Sequence, residues 1–295
     1  MNPGSSSNSS SKSSNPAYIS EVFSYHYGPG QHAGGIGSAE SQMEKFLGTN
    51  SDYVMLGGWG GYIVAGFDHD VENLSGYDFA VFTQPGVGSE PGVVYVKQDT
   101  NGNGRPDPEE TWYELEGSET AADYSSETGN SDDRYIRDYE ITYSKPVGSN
   151  NISWTDNKSN SGELQPGFPD GAESSSWWWD GYGSAMEVTF SGVKLPHNME
   201  YDADSDSWRN YSDRFARGYA ENYGAEDLAS ISFGSGRREA NRFDIDDAVD
   251  SNGNPVSLDS IRFIKLQSGV FQIAGQLNEI STEVSGAVDL HMLGE

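Results

Sequence analysis

Leucine occurs only 12 times in this chain of 295 residues, whereas glycine occurs 36 times. Leucine-rich faces are what long helices pack with, so a chain this poor in them and this rich in turn-forming residues is limited to short strands joined by many turns. The aromatic share of 12%, with 17 Tyr, 12 Phe and 7 Trp, supplies the bulk that a 34% hydrophobic content would otherwise lack. Strands are predicted over 19–27, 53–56, 62–67, 78–83, 93–97, 111–115, 140–143 and 152–155. A second set covers 186–193, 228–233, 261–266 and 270–273. This spacing predicts an all-β, jelly-roll-like β-sandwich with long loop insertions and one or two short helices.

One helix is expected after the Gly/Pro loop at 28–37. Ser38 caps it, Ala39, Met43, Phe46 and Leu47 fall on one face, and Gly48 ends it. The run at 1–16, Ser/Asn-rich with eight Ser between positions 5 and 14, reads as a flexible tether. It has neither the basic nor the apolar region of a signal peptide, and spacers of this type follow the lipidated cysteine of bacterial surface lipoproteins. Residues 17–295 are then one calcium-binding β-sandwich domain, displayed outside the cell and touching membrane only through a lipid anchor that this sequence lacks. Three segments poor in strand pattern, 116–137, 157–183 and 196–227, are expected to decorate one end of it and to carry the ligand site.

Seventeen Lys and Arg against 46 Asp and Glu leave a net charge of −29. Such a field repels phosphate backbones and anionic headgroups, which disfavours nucleic-acid and membrane-surface binding and leaves cations, neutral ligands and basic partners. With no Cys, disulfides, thiolate metal sites and cysteine nucleophiles are excluded.

The sharpest motif runs from Asp99 to Glu110. Asp99, Asn101, Asn103, Gly104, Asp107 and Glu110 fit the twelve-residue calcium loop at each fixed position. Oxygens at positions 1, 3 and 5 wrap a hard cation, Gly104 permits the sharp turn, Arg105 offers its carbonyl, Asp107 acts directly or through water, and Glu110 closes the shell. Strand-like flanks make this a hairpin loop instead of an EF-hand, and the Ca2+ it implies is structural. The competing reading is an acidic turn without metal. Asp250, Asn252 and Asn254 repeat the opening of the pattern without its final carboxylate and read as a tight turn. Asp244 and Asp246 are expected to alternate with Phe243 and Ile245 along a strand. Asp68, His69 and Asp70 are expected to form a turn.

Trp177, Trp178 and Trp179 are consecutive, so in an extended chain at most two enter one core and at least one is expected to be exposed or to cover a pocket. With Tyr182, Trp208, Tyr211 and Tyr223 they are candidates for an aromatic wall against a sugar ring or a planar cofactor; a minicore beneath the loop is the alternative. No nucleophile elbow or triad is legible, and the carboxylates are too numerous for spacing to single out a catalytic pair.

Several segments, in this order, resemble a family of bacterial cell surface proteins, the PKD-domain-containing surface lipoproteins of gut Bacteroidetes. They are LGGWGGYIVAGFDH at 56–69, SEPG at 89–92, DTNGNG at 99–104, WYELEGS at 112–118, YEITY at 139–143 and WTDN at 154–157. GYAEN at 218–222, AVDSNGNP at 248–255 and STEVSG at 281–286 complete the set. The resemblance implies a calcium-binding, jelly-roll-like surface domain without established catalytic residues. Because such relatives accompany corrinoid import genes, it also implies capture of a corrinoid (vitamin B12) beside an outer-membrane transporter. A glycan-binding module using the same aromatics and a calcium-dependent carbohydrate-active enzyme are the alternatives.

Overall fold

The computed structural model describes residues 15–48, 52–83, 88–148, 150–165, 176–224, 226–233 and 236–293. Most of the tether therefore lies outside the described residues, as does 166–175. Among the described residues strands dominate, with two short α-helices, as the leucine deficit requires.

Two antiparallel sheets form the sandwich. One has six strands: β1 (Glu21–His26), β3 (Tyr62–Glu72), β16 (Ser260–Ser268), β5 (Gly92–Lys97), β6 (Tyr113–Leu115) and β15 (Ala248–Val249), in that order across the sheet. The other has five: β13 (Leu228–Phe233), β14 (Gly236–Phe243), β4 (Phe79–Thr83), β17 (Glu283–Asp289) and β2 (Val54–Met55). Ile63, Ala65 and Phe67 of β3 and Ile264 and Leu266 of β16 meet Phe79, Val81, Phe243 and Val284 from the facing sheet in one apolar core. The period-two spacing of these positions places them on one face of each strand. Helix α1 (Ala39–Lys45) starts at Ser38, whose Oγ accepts the Ser41 N–H at 3.3 Å. Ala39, Met43, Phe46 and Leu47 pack into the same core, and the helix touches β1 and β2, the edge strands of the two sheets on that side.

A third sheet, ordered β10 (Glu187–Lys194), β7 (Ile136–Ser144), β8 (Ile152–Asp156) and β9 (Ser161–Leu164), gathers Tyr139, Ile141, Tyr143 and Phe190 around Trp59 in a second core. Trp59 donates Nε1–H to the Val193 carbonyl (3.2 Å), and Tyr143 donates its hydroxyl to the Trp59 carbonyl (3.1 Å). The glycines around Trp59 permit this: a Cβ on Gly61 would lie 1.9 Å from the Leu56 carbonyl oxygen, and Gly60 has φ +93° while Phe190 presses on it. A hairpin of β11 (Met199–Asp202) and β12 (Ser207–Asn210) rises from the segment 196–227, which sequence patterning leaves irregular.

Two acidic motifs fold differently from expectation. Asp68, His69 and Asp70 continue β3 instead of turning, because His69 is held between Asp68 (3.0 Å) and Asp289 (2.9 Å). Asp244 and Asp246 do not alternate along a strand. Asp244 caps a 3-10 turn at Ile245–Asp247 by accepting the Asp246 N–H, and a short polar side chain competes for backbone donors in this way. Asp250 does form the expected tight turn, with Oδ1 accepting the N–H groups of Asn252 (2.8 Å) and Asn254 (2.9 Å). No helix of the described residues is long and apolar enough to cross a membrane.

Candidate functional site

Strands β5 and β6 pair directly, Tyr95 opposite Glu114 and Val96 opposite Tyr113, so residues 98–112 form the loop of a hairpin. Asp99 organises it. Its Oδ1 accepts the N–H of Gly102 (2.9 Å) and Asn103 (3.1 Å), and its Oδ2 accepts that of Gly104 (2.8 Å), whose φ of +72° suits glycine. Glu110 reaches back from the far end, accepting the Thr100 N–H (2.7 Å) on Oε1 and the Asp107 N–H (3.2 Å) on Oε2. Asp107 Oδ2 accepts the side-chain amide of Asn101 at 2.8 Å and that of Asn103. These two bonds hold the Asp107 carboxyl below the ordinary aspartate range.

The donor set fits a hard cation: three carboxylates, two amide oxygens and the Arg105 carbonyl, all oxygen. Among the described residues no group of three acidic or histidine side chains is arranged to hold a metal ion, and the loop's carboxylates are bonded to its own amides. Two protein cations are also seated here. Lys97, itself buried, donates to the Asp107 carbonyl at 2.6 Å and lies 4.7 Å from the Trp112 ring centre; its burial lowers the ammonium pKa. Arg262 of β16 places Nη1 3.5 Å from Asp99 Oδ2 and Nε 2.9 Å from Asp70 Oδ1.

The tryptophan run does not form an exposed wall. Trp177, Trp178 and Trp179 are 2%, 5% and 3% exposed. At most two were expected in one core, and that holds, since Trp177 and Trp178 enter the core of the third sheet while Trp179 enters the main core. The expectation that one stays exposed fails because alternate faces of this segment both meet a core. Trp179 donates Nε1–H to the Gly37 carbonyl (2.9 Å) and meets Tyr25 edge-on at 5.6 Å. Tyr182 is also structural, wedged against Trp178 and Trp179 with its hydroxyl on the Tyr27 carbonyl.

The segment 196–227 instead builds two neighbouring clefts. One, of about 520 Å³, is walled by Tyr211, Tyr223, Ser89, Asn198, Asn210 and Asn222. The other, of about 500 Å³, includes Trp208 and Tyr201 of the β11–β12 hairpin with Glu127 and Glu200. Tyr211, Asp213 and Arg214 line both. Arg214 is fixed between the rings of Tyr124 (3.8 Å) and Tyr211 (3.6 Å) and pairs with buried Asp133 at 2.9 Å. In the first cleft's wall, Asn198 spends Nδ2 on the Ser89 carbonyl (2.6 Å) and Asn222 spends Oδ1 on the Gly224 N–H (3.0 Å). Asn198 Oδ1 and Asn222 Nδ2 are buried with no partner. Of the sequence candidates, Trp208, Tyr211 and Tyr223 thus line clefts, whereas among the described residues Trp177, Trp178 and Trp179 are buried and Tyr182 packs against two of them. Arg214, Asn198, Asn222 and Arg262 carried no signal, since isolated Asn and Arg in irregular or strand segments have no diagnostic spacing.

At the end of the sandwich below the first cleft, Glu90, Glu221, Glu279 and Glu283 are drawn together by the backbone. Ser281 N–H bonds to Glu90 (2.6 Å), Gln31 N–H to Glu279 (2.7 Å), and Glu283 N–H to Glu221. Burial, reinforced by their mutual repulsion, raises Glu90 to about 8 and Glu279 to about 7; burial alone raises Glu283 to about 7. Glu221, fully enclosed, is pushed up for the same reasons.

No protein-family model matches the chain, and no curated protein matches it.

Proposed function

We propose that this protein is a non-catalytic, cell-surface ligand-capture domain whose ligand sits in the cleft between Tyr211 and Tyr223, and whose β5–β6 loop binds Ca2+ for stability. The observation that carries the reading is the cleft itself. It is roomy, partly aromatic, and has an acceptor (Asn198 Oδ1) and a donor (Asn222 Nδ2) in its wall without partners. Buried polar atoms of this kind are normally satisfied, so a polar ligand or water that completes them is favoured there. A corrinoid has a broad ring face for the tyrosines and peripheral amides for the asparagines, and it is also the ligand that the family resemblance implies. Asp99, Asn101, Asn103, Arg105, Asp107 and Glu110 would hold the calcium, which would supply the charge that draws the loop's oxygens inward.

Titration calorimetry of the calcium-saturated protein with cyanocobalamin tests this. One-to-one binding that is lost in Ser212→Trp, a filling substitution at an exposed wall residue, supports the reading. A flat trace for cyanocobalamin with retardation in polysaccharide gels reassigns the cleft to glycans. Release of reducing ends from those polysaccharides makes the protein an enzyme.

A further inference from the structure

Resting on the calcium reading of the β5–β6 loop, a second feature concerns how that site is controlled. Asp99 is the first residue of the loop pattern and the side chain that caps three of its amides. Its carboxylate is 2% exposed, so whatever charge neutralises it must come from the protein or from a bound cation. The guanidinium of Arg262 supplies part of that charge by donating Nη1–H to Asp99 Oδ2 at a long 3.5 Å, while its Nε lies 2.9 Å from Asp70 Oδ1 as an ion pair without a hydrogen bond. Nη2 is also bonded to the Asp68 carbonyl at 3.3 Å. Arg262 is thus shared between two carboxylates on different elements, one in the loop and one on β3.

We propose that Arg262 competes with the loop cation for Asp99, and that Asp70 sets the strength of the competition by holding the guanidinium back. A divalent ion at the loop centre and a guanidinium beside Asp99 repel one another across a few ångströms, so binding moves Arg262 fully onto Asp70. The affinity of the site is therefore set as much by β3 and β16 as by the twelve loop residues. The loop also keeps its shape before the ion arrives, because Lys97 holds the Asp107 carbonyl and Arg262 holds the Asp99 carboxylate.

The test is titration of the full chain with Ca2+ by calorimetry, with Tb3+ luminescence from nearby Trp112 as a second readout. Arg262→Gln should bind Ca2+ about fivefold tighter than the parent, the size expected for removing one unit charge near a divalent ion in a solvent-screened site. Asp70→Asn, which frees Arg262 to sit on Asp99, should bind about fivefold weaker. Both positions are partly exposed, and an unchanged circular dichroism spectrum shows that the variants fold. Equal or weaker binding by Arg262→Gln while the parent binds Ca2+ overturns the competition and leaves the calcium site standing. Absence of Ca2+ and Tb3+ binding in all three proteins removes the site and the competition together.

Discussion

Two loops of this protein begin with the same five-residue pattern, Asp-x-Asn-Gly-Asn, at Asp99 and at Asp250, and they end as different objects. In both, the leading aspartate accepts backbone N–H groups two to five residues on, and in both a glycine takes positive φ, +72° at Gly104 and +80° at Gly253. What separates them lies further along. At the twelfth position of the pattern that starts at Asp99 the chain offers Glu110, which folds back to the start of the loop. At the twelfth position counted from Asp250 it offers Ile261, fully buried in β16, and the sixth position is Pro255 where the calcium pattern needs glycine. Asp250 is held down to about 2 by its bonds to Asn254 and neighbouring amides, which is all the neutralisation that a solvated turn requires. A shared opening specifies a turn, and only the distant carboxylate gives the Asp99 turn the closing ligand that the calcium pattern requires.

The comparison breaks most visibly if the missing ligand is supplied. Ile261→Glu completes the twelfth position of the Asp250 pattern, but it buries a carboxylate in the main core. The expected result is a loss on the order of 4 kcal/mol in urea unfolding, the same with and without calcium. A calcium-dependent recovery would show that the carboxylate alone was lacking. Next in size, calcium is expected to raise the melting temperature of the parent, and Asp99→Ala combined with Glu110→Ala should abolish that gain. At a hundredfold excess over Kd that gain corresponds to about 2.7 kcal/mol. Scanning calorimetry with calcium and with a chelator checks it, and equal melting of the parent in the two buffers would discard the metal. Smaller still, Gly104→Ala and Gly253→Ala should each cost about 1 kcal/mol in chelator, because both force a side chain into the left-handed region. Only the first should cost more once calcium is added.

Acid sharpens the contrast from another side. Asp250 is held down to about 2 and Asp107 also lies below the ordinary aspartate range, so neither carboxylate titrates between pH 5 and 8. The slope expected between pH 5 and 8 comes from neither. Glu90, Glu279 and Glu283 have folded values of about 7 to 8, above the roughly 4.3 of an unfolded glutamate. Over that window the folded state binds more protons than the unfolded state, so stability falls as pH rises toward 8. Glu283→Gln should flatten the dependence of melting temperature on pH, and an unchanged slope would place the effect elsewhere.

Much of the sandwich is written locally. β-Rich runs such as Tyr62–Glu72 and Phe79–Thr83 alternate or saturate with apolar residues, and the Ser38 cap marks α1. β17 was invisible because Ser285 and Gly286 interrupt its apolar pattern at a register shift between Val284 and Ala287. The β11–β12 hairpin is hard to read because its four-residue strands give only a short alternation, Met199, Tyr201 and Trp208 on one face against Glu200 and Arg209 on the other, and bonds such as that of Asn210 to the Ser89 carbonyl come from far along the chain. The aromatic wall was misplaced for a related reason. Consecutive indoles report that two faces are aromatic, but whether each face meets water or another sheet is decided by other strands, β7 and β10 for Trp177 and Trp178 and the distant β1 for Trp179.

That placement of the three indoles has a mechanical outcome. Neighbouring peptide units cannot separate, so a run that puts Trp177 and Trp178 in one apolar cluster and Trp179 in another rivets the third sheet to the sandwich through covalent bonds. Neither cluster can open far without dragging an indole out of the other. Thermal melting followed by tryptophan emission should accordingly show one transition for both, even though each cluster has its own strands.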